Sequence, residues 1–264
     1  MAEIRGDKKL AAQYFLKAAD LKSYFNKDWG IKNTETYNRG YTLPMSHVDG
    51  WGKENSWFMP MKGITEASSA RNLKYLDFIE EQLNSKDGIP GNIEAISYIP
   101  ELFFKYQQNE RAWKWMQYII SNIDQEHEAS ALTGKNGNYP EVSYVFISNV
   151  IEGLLGVVPN AERNEVATLS HLTPEVQSLS VKNIRIGSSV LEVEHQLNRS
   201  SRIHYQKGTG SLKWKAAFPG DVTHLYVNGK KQAALKGNDS GKPYSYVIVN
   251  LSPKQQVTVT EGVH

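Results

Sequence analysis

Cysteine is absent from the 264 residues. This absence excludes disulfide bonds, thiolate metal sites and a cysteine nucleophile, and it fits the periplasm as readily as the cytoplasm. The seven histidines are scattered, without the spacing typical of a zinc site. There is also no glycine-rich phosphate loop and no Ser/His/Asp arrangement. The sequence therefore predicts neither a metal centre nor a cofactor.

An excess of charge of one sign is also lacking. Lys and Arg number 30 and Asp and Glu number 28, for a net charge of +2, and no long run of like charge occurs. Binding to nucleic acid or to an anionic membrane depends on clustered basic side chains. Neither is predicted as a partner.

Long hydrophobic runs are missing too. No stretch approaches the roughly 18 consecutive apolar residues of a membrane-spanning helix. The N-terminus, "MAEIRGDKKLAAQYF", has no apolar run after a basic start, so it is not expected to be a secretory signal. If the protein is exported, we expect the given sequence to begin after the signal peptide.

The first part of the chain has the apolar spacing of helices. Thr65 and Asn109 are predicted N-caps, Pro140 a first-turn residue and Gly156 a helix stop. Between the first two helices, residues 28–63 have no clear period but many aromatic residues, which indicates either a long functional loop or a missed element. The predicted helices are 8–26, 65–84, 99–107, 109–123 and 140–156.

The last of these helices is apolar on nearly every side. Its sequence from Tyr139 is "YPEVSYVFISNVIEGLLG". A helix that is hydrophobic all round is expected to be buried on all sides. This predicts the inner layer of a double-layered helical ring, with the amphipathic helices 65–84 and 109–123 in the outer layer.

After Pro159 the apolar residues alternate with polar ones, as in strands. Gly187-Ser188 and Asn228-Gly229 stand where hairpin turns are expected. Helices followed by strands predict two domains. The predicted fold is α plus β, with a helical domain at 1–160 and an antiparallel β-sandwich at 161–264.

Three stretches resemble one family. "ENSWFMPMKGITEASSARNLKYLDFIEEQL", "YIPELFFKYQQNERAWKWMQYII" and "YPEVSYVFISNVIEGLLGVVPNA" are similar to the C-terminal half of bacterial six-hairpin glycosidases, especially sugar-processing proteins of Bacteroidetes. The resemblance implies a partial (α/α)6 toroid, a C-terminal β-sandwich and a periplasmic or secreted location. A complete toroid has twelve helices, whereas about five are predicted here.

The resemblance directs attention to loops at the mouths of inner helices. In 41–63, Trp51 and Trp57 could stack on sugars, while His47, Asp49 and Glu54 could bind hydroxyls or move protons. The structural alternative, that the tryptophans only pin the loop, is equally open.

A second group surrounds the last helix. In several six-hairpin enzymes a catalytic carboxylate precedes the last inner helix, in a segment that resembles "NGNYPE". Asn138, Tyr139 and Glu141 are therefore candidates, and Asn92 faces the same end of the predicted ring. Glu94 is interpreted as an ordinary first-turn acid, a role that Glu141 could share.

Glycoside hydrolysis needs two carboxyl groups, and the family mostly inverts, which calls for a separation of about 6.5–9.5 Å. The predicted pair is Glu54 as acid and Glu141 as base, with Asp49 as substitute. The predicted partner is an oligosaccharide or polysaccharide. The alternative is a non-catalytic carbohydrate-binding or structural module. The incomplete ring also predicts a homodimer or a missing N-terminal half.

Overall fold

The computed structural model describes residues 2–29, 40–42, 46–48, 51–86, 88–127 and 134–262. The chain forms two compact units, residues 1–91 and 92–264. The second unit thus combines helices with all the sandwich strands. The predicted division at residue 160 follows the change in secondary structure, and it stays a prediction about domains.

The first unit is mainly helical. Tyr75 and Trp57 are completely buried, and the Tyr75 hydroxyl donates to the carbonyl oxygen of Ser56 at 3.1 Å, which joins two helices. The elements are α1 (Lys8–Tyr24) with a π-helical turn (Phe25–Trp29), β1 (Gly40–Thr42), β2 (Ser46–Val48), α2 (Glu54–Met61) and α3 (Ala70–Asn84).

Two expectations for this unit were wrong. The segment predicted as an irregular loop contains α2, which was missed because this short helix buries most of its residues and so lacks an amphipathic period. The predicted cap Thr65 is not the N-cap of α3. Ser69 takes that role, and its hydroxyl accepts from the amide of Asn72 at 3.1 Å.

The second unit begins with helices. They are α4 (Ile93–Ser97), α5 (Ile99–Lys105), α6 (Asn109–Asn122), a 3-10 turn (Asn136–Asn138), α7 (Pro140–Ser148) and a π-helical turn (Asn149–Leu154). Pro100 and Pro140 occupy first turns, as predicted, whereas the N-cap of α6 is Gln108. A Cβ on Gly153 would lie 2.5 Å from the Phe104 ring, so glycine permits this close packing. The described residues contain seven α-helices against about five predicted, because α2 and α4 are short.

The prediction that residues 140–156 are buried on all sides was wrong. Within α7 only Val142 is buried, whereas Tyr144 is 71% exposed and Ile147 is 53% exposed. In this unit, α7 packs on α4 and leaves its opposite face open. An apolar helix needs neighbours on every side to be buried, and the described residues do not supply them.

The strands form two sheets with the orders β10-β9-β13-β7-β6-β5 and β11-β12-β8-β4-β3. Neighbouring strands are antiparallel, except that β4 and β8 are parallel. The strands are β3 (Val157–Asn160), β4 (Glu165–Leu169), β5 (Ser178–Ile186), β6 (Ser189–Gln196), β7 (Ser200–Lys207), β8 (Leu212–Pro219), β9 (His224–Val227), β10 (Lys230–Ala233), β11 (Leu235–Asp239), β12 (Lys242–Leu251) and β13 (Gln256–Thr260).

The sheets share one apolar core, to which both contribute buried side chains. Trp214 is completely buried there and donates to the Thr168 hydroxyl at 3.0 Å. Turns at 187–188 and 228–229 close the predicted hairpins. The change from helix to strand is confirmed, so the fold class is α plus β with sheets that are mainly antiparallel. No helix of the described chain is long and apolar enough to cross a membrane.

His195 ties the sandwich to the end of the last helical segment. Its Nε2 donates to the carbonyl oxygen of Leu155 at 3.0 Å, and its Nδ1 lies 2.8 Å from the Ser201 hydroxyl. Burial lowers the pKa of His195 from 6.5 to about 4. The folded protein therefore holds this ring neutral.

Acid should weaken the fold through His195. The unfolded chain binds a proton near pH 6.5 and the folded chain only near pH 4, so the free energy of unfolding should fall across this window by about 3 kcal/mol. Denaturant titrations should show that His195→Gln is most destabilised relative to wild type above this window and that the difference shrinks towards its lower end. The exposed-site variant His224→Gln should follow wild type. A difference that does not depend on pH would contradict this account.

Candidate functional site

Glu94 is placed by the start of α4. Asn92 is the N-cap of this helix, and its side-chain oxygen accepts from the amide of Glu94 at 2.9 Å. Its Nδ2 donates to Glu94 Oε2 at 3.3 Å. Glu94 therefore sits in the first turn with its carboxylate held by the residue that starts the helix.

Glu141 is placed by a turn that leads back from α6. The amide of Gly137 donates to Ile123 O at 2.8 Å, and that of Asn136 donates to Gln125 O at 2.9 Å. These bonds fix the 3-10 turn just ahead of Pro140, which opens α7. Glu141 follows in the first turn of α7.

The two first turns meet because the helices are bonded further along. Asn149 Nδ2 donates to the carbonyl oxygen of Ser97 at 2.9 Å in a buried bond. At the open end, the carboxyl groups of Glu94 and Glu141 hydrogen-bond to each other. The hydroxyl of Tyr98 donates to Glu141 Oε1, and that of Tyr139 lies near enough to Glu94 to lower its pKa. We name Glu94 and Glu141 the carboxyl pair.

The two groups of the carboxyl pair change each other's pKa in opposite directions. Two carboxylates in hydrogen-bond contact cannot both ionise freely. The bond with Glu94 raises the pKa of Glu141, against the opposing effect of Tyr98. The bond with Glu141 lowers the pKa of Glu94, and the bonds from Asn92 and Tyr139 act in the same direction. Within the pair the contact therefore favours the protonated form of Glu141 and the charged form of Glu94.

The pair also raises the pKa of two neighbouring tyrosines. Burial, followed by the hydrogen bond and the charge of Glu141, raises the pKa of Tyr98 to about 12. The pKa of Tyr139 is also raised, by desolvation and then by the charges of the pair. Both hydroxyls therefore keep their protons and act as donors.

An imidazole lies behind Tyr139. The rings of His127 and Tyr139 are stacked, with centroids 4.3 Å apart and planes at 17°. His127 Nδ1 lies 3.0 Å from Asn136 Oδ1, and Asn136 Nδ2 donates to Asn122 O at 2.8 Å. The amide oxygen therefore faces the ring, so Nδ1 is the donor. This chain of contacts fixes the plane of Tyr139.

The geometry of the pair decides what it can do. Carboxyl groups on opposite sides of a glycosidic bond are about 5–5.5 Å apart in retaining enzymes and about 6.5–9.5 Å apart in inverting ones. Two carboxyl groups in direct hydrogen-bond contact match neither arrangement. The pair can therefore hold or deliver one proton as a unit, and a second catalytic group has to come from elsewhere.

The structure brings together three residues singled out in the sequence, namely Asn92, Tyr139 and Glu141. It adds Glu94, which the sequence had assigned to an ordinary helix-end role, and Tyr98. Asn138 is exposed. The spacing of Asn92 and Glu94 around a helix start was visible in the sequence, but it is common to many helices.

The other predicted residues belong to the first unit or lie outside the described residues. Glu54 is half-buried in the first turn of α2. Trp51 donates to Gly88 O at 3.0 Å, with its ring 5.7 Å from that of Trp57. Trp57 is completely buried, so it fits the alternative in which it pins the segment. The pairing of Glu54 with Glu141 stays a prediction.

Asp49 lies outside the described residues. For His47 the structure describes the backbone, which is paired with Tyr41 in the hairpin of β1 and β2. Within the described ranges, no three His, Asp or Glu side chains are grouped so that they could hold a metal ion.

Comparison with known proteins shows a likeness in fold alone. No family model matches the sequence, and no curated protein matches it. An α-L-rhamnosidase from Dictyoglumus thermophilum is similar in structure, with a TM-score of 0.58 and 15% identity over 98% of this chain and 30% of that one. The chain thus has the fold of about a third of that enzyme.

Two further structures overlap less well. A GH127 β-L-arabinofuranosidase from Geobacillus stearothermophilus has a TM-score of 0.29 and 10% identity over 70% of this chain and 30% of that one. Another GH127 β-arabinofuranosidase has a TM-score of 0.33 and 11% identity over 98% of this chain and 40% of that one. Overlaps this loose carry no argument about fold or function.

Removing the Tyr98 hydroxyl should raise the pKa of Glu141 further. The hydrogen bond from Tyr98 favours the charged form of this carboxyl group, so Tyr98→Phe removes a stabiliser of the charge. Carbon-13 NMR titration of the glutamate carboxyl groups measures the change. Tyr144→Phe, on the exposed face of α7, is the matched control and should leave the titration of Glu141 as in wild type. An unchanged or lower pKa in Tyr98→Phe would show that the bond does not act on Glu141.

Proposed function

We propose that the chain is part of a glycoside hydrolase of the six-hairpin type and acts on an oligosaccharide or polysaccharide. The observation that carries this proposal is the carboxyl pair at the adjoining ends of α4 and α7, where contact with Glu94 raises the pKa of Glu141 and Tyr98 donates to Glu141. A half-buried carboxyl group with a raised pKa is the kind of group that protonates a glycosidic oxygen. The fold shared with part of a rhamnosidase supports the same class.

Glu141 is the general acid in this proposal. Its raised pKa favours the acid role, which reverses the assignment of base made from the sequence. Glu94 accepts the hydrogen bond and orients the proton. Once the proton passes to the leaving oxygen, two carboxylates face the site, and their charge favours the positive character that develops on the sugar.

A second group must activate water or attack the sugar, since the pair itself acts as one unit. The candidate taken from the sequence is Glu54, with Asp49 as its substitute. The predicted partner is a neutral sugar chain, with Tyr139 and Asn92 at the edge of the pair as hydroxyl-binding groups. An inverting reaction follows from the family resemblance.

A non-catalytic module is the second candidate. The observation that favours it is the contact within the pair, because two carboxyl groups in hydrogen-bond contact leave no space for a glycosidic bond between them. In that case the contact would only join α4 to α7, and carbohydrate would bind without turnover.

Glu141→Gln should abolish hydrolysis of natural linkages, with a loss of about 10²–10⁴-fold in kcat. The loss should be much smaller with dinitrophenyl glycosides, whose leaving group departs without an acid. Glu94→Gln should lower kcat less and shift the acid limb of its pH profile. Glu162→Gln, on an exposed turn, is the control. If Glu141→Gln hydrolyses natural linkages as well as Glu162→Gln, Glu141 is not the acid.

The isolated chain should have weak or no glycosidase activity and should associate. It spans about a third of the rhamnosidase, and the apolar residues Tyr144 and Ile147 are exposed, a face that a second copy or an N-terminal half would cover. Sedimentation should show a dimer that Ile147→Glu weakens, unless the other half of the toroid is added. A monomer that hydrolyses aryl glycosides or oligosaccharides at about 1 s⁻¹ or faster would refute this prediction.

A further inference from the structure

A cavity in the 92–264 unit is lined by neither residue of the carboxyl pair. It has a volume of about 410 Å³ and lies between the turn and first residues of α6 (107–111), the segment 172–174 and Asn198. Cavities that bind small molecules begin at roughly 300 Å³. The space is therefore large enough for a sugar residue.

The wall of this cavity contains buried polar atoms without hydrogen-bond partners. They are Gln107 Nε2, Asn109 Oδ1, Thr173 Oγ1 and Asn198 Oδ1, four of the twelve such side-chain atoms among the described residues. Buried polar groups are nearly always paired, and each exception costs stability. Because four of these atoms line one cavity, we interpret them as groups that bind a ligand.

The orientation of these groups is partly fixed. Asn198 Nδ2 donates to Leu172 O at 3.2 Å, so the open atom of this amide is its oxygen. Gln107 has a φ of 51°, and its carbonyl oxygen accepts from Lys242 Nζ at 2.9 Å. A residue other than glycine rarely adopts a positive φ, and the surrounding structure has to stabilise it there.

Thr173 is the most buried of the four, with 2% of its surface exposed. Its hydroxyl makes no hydrogen bond of ordinary geometry, although it lies close enough to the Glu175 carboxylate to lower the pKa of that group. The amides can turn about their soft terminal torsions to meet a molecule in the cavity.

The open atoms define the ligand. Two amide oxygens need donors and one amide nitrogen needs an acceptor, while a hydroxyl group can serve as either. The cavity is lined by both Glu110 and Arg111, so it has no single sign of charge. We propose that this cavity binds a neutral, hydroxyl-rich molecule of the size of one sugar residue. The proposal rests on the cavity alone and does not require the carboxyl pair to be catalytic.

The test is a titration of the whole chain, followed by NMR of the side-chain amide signals of Gln107, Asn109 and Asn198. The probes are D-glucose, D-galactose, D-mannose, L-rhamnose and myo-inositol, with sodium acetate as the charged comparison. We expect saturable shifts of these signals with at least one neutral probe and none with acetate. Glu141→Gln should show the same shifts, which separates this site from the proposed catalytic one.

Thr173→Val removes the hydroxyl without changing the shape of the side chain. It should weaken binding about tenfold, because it removes a group that can bond to the ligand. Thr173→Ser should keep the binding. The matched control is Thr168→Val, which removes a buried hydroxyl that accepts from Trp214. It should lower the melting temperature and leave binding unchanged.

The inference fails if the amide signals do not move with any neutral probe, or if they move without saturation, which would mark binding by an adventitious additive only. It also fails if Thr173→Val binds as tightly as wild type. A higher melting temperature in Thr173→Val without any loss of binding would show that the open hydroxyl is a defect of packing rather than part of a site.

Discussion

The carboxyl pair depends on one buried hydrogen bond. Asn149, in the π-helical turn after α7, donates to the carbonyl oxygen of Ser97 at the end of α4. This bond sets the distance between the two helices at one end, and their first turns then meet at the other. Without this close approach of the two first turns, Glu94 and Glu141 would each be an ordinary helix-end acid. Carboxylates in the first turn are stabilised by the helix dipole in any helix. The contact between them is a consequence of packing.

The direct contact between Glu94 and Glu141 limits the reactions in which the pair can take part. In the proposed enzyme the pair provides one acid, and it cannot also provide the opposing base. The chain has the fold of about a third of a larger enzyme, and α7 leaves an apolar face open. The proposed toroid would account for both, since the inner helices of a ring need neighbours on both sides and its pocket is formed from loops on all of them.

The carboxyl pair and the cavity beside Thr173 differ in the partners of their polar groups. Glu94 and Glu141 contact each other, and Asn92 and Tyr98 donate to them, so both carboxyl groups are held before any ligand arrives. Around Thr173 and Asn198 several polar atoms lack a hydrogen-bond partner, which costs stability in the free protein. A site of the second kind gains more from a ligand that supplies the missing bonds.

The sequence by itself determined the change from helices to strands after Pro159, the hairpins at Gly187 and Asn228, and the helix start at Pro140, since these depend on periodicity and on local backbone preferences. It identified Glu141 by resemblance. Short buried helices such as α2 were not predicted, because they have no amphipathic period. Only the tertiary structure decided that Glu94 joins Glu141 and that α7 stays open on one side, since both depend on which helices pack together. Such contacts join residues far apart in the chain, where local pattern carries no information.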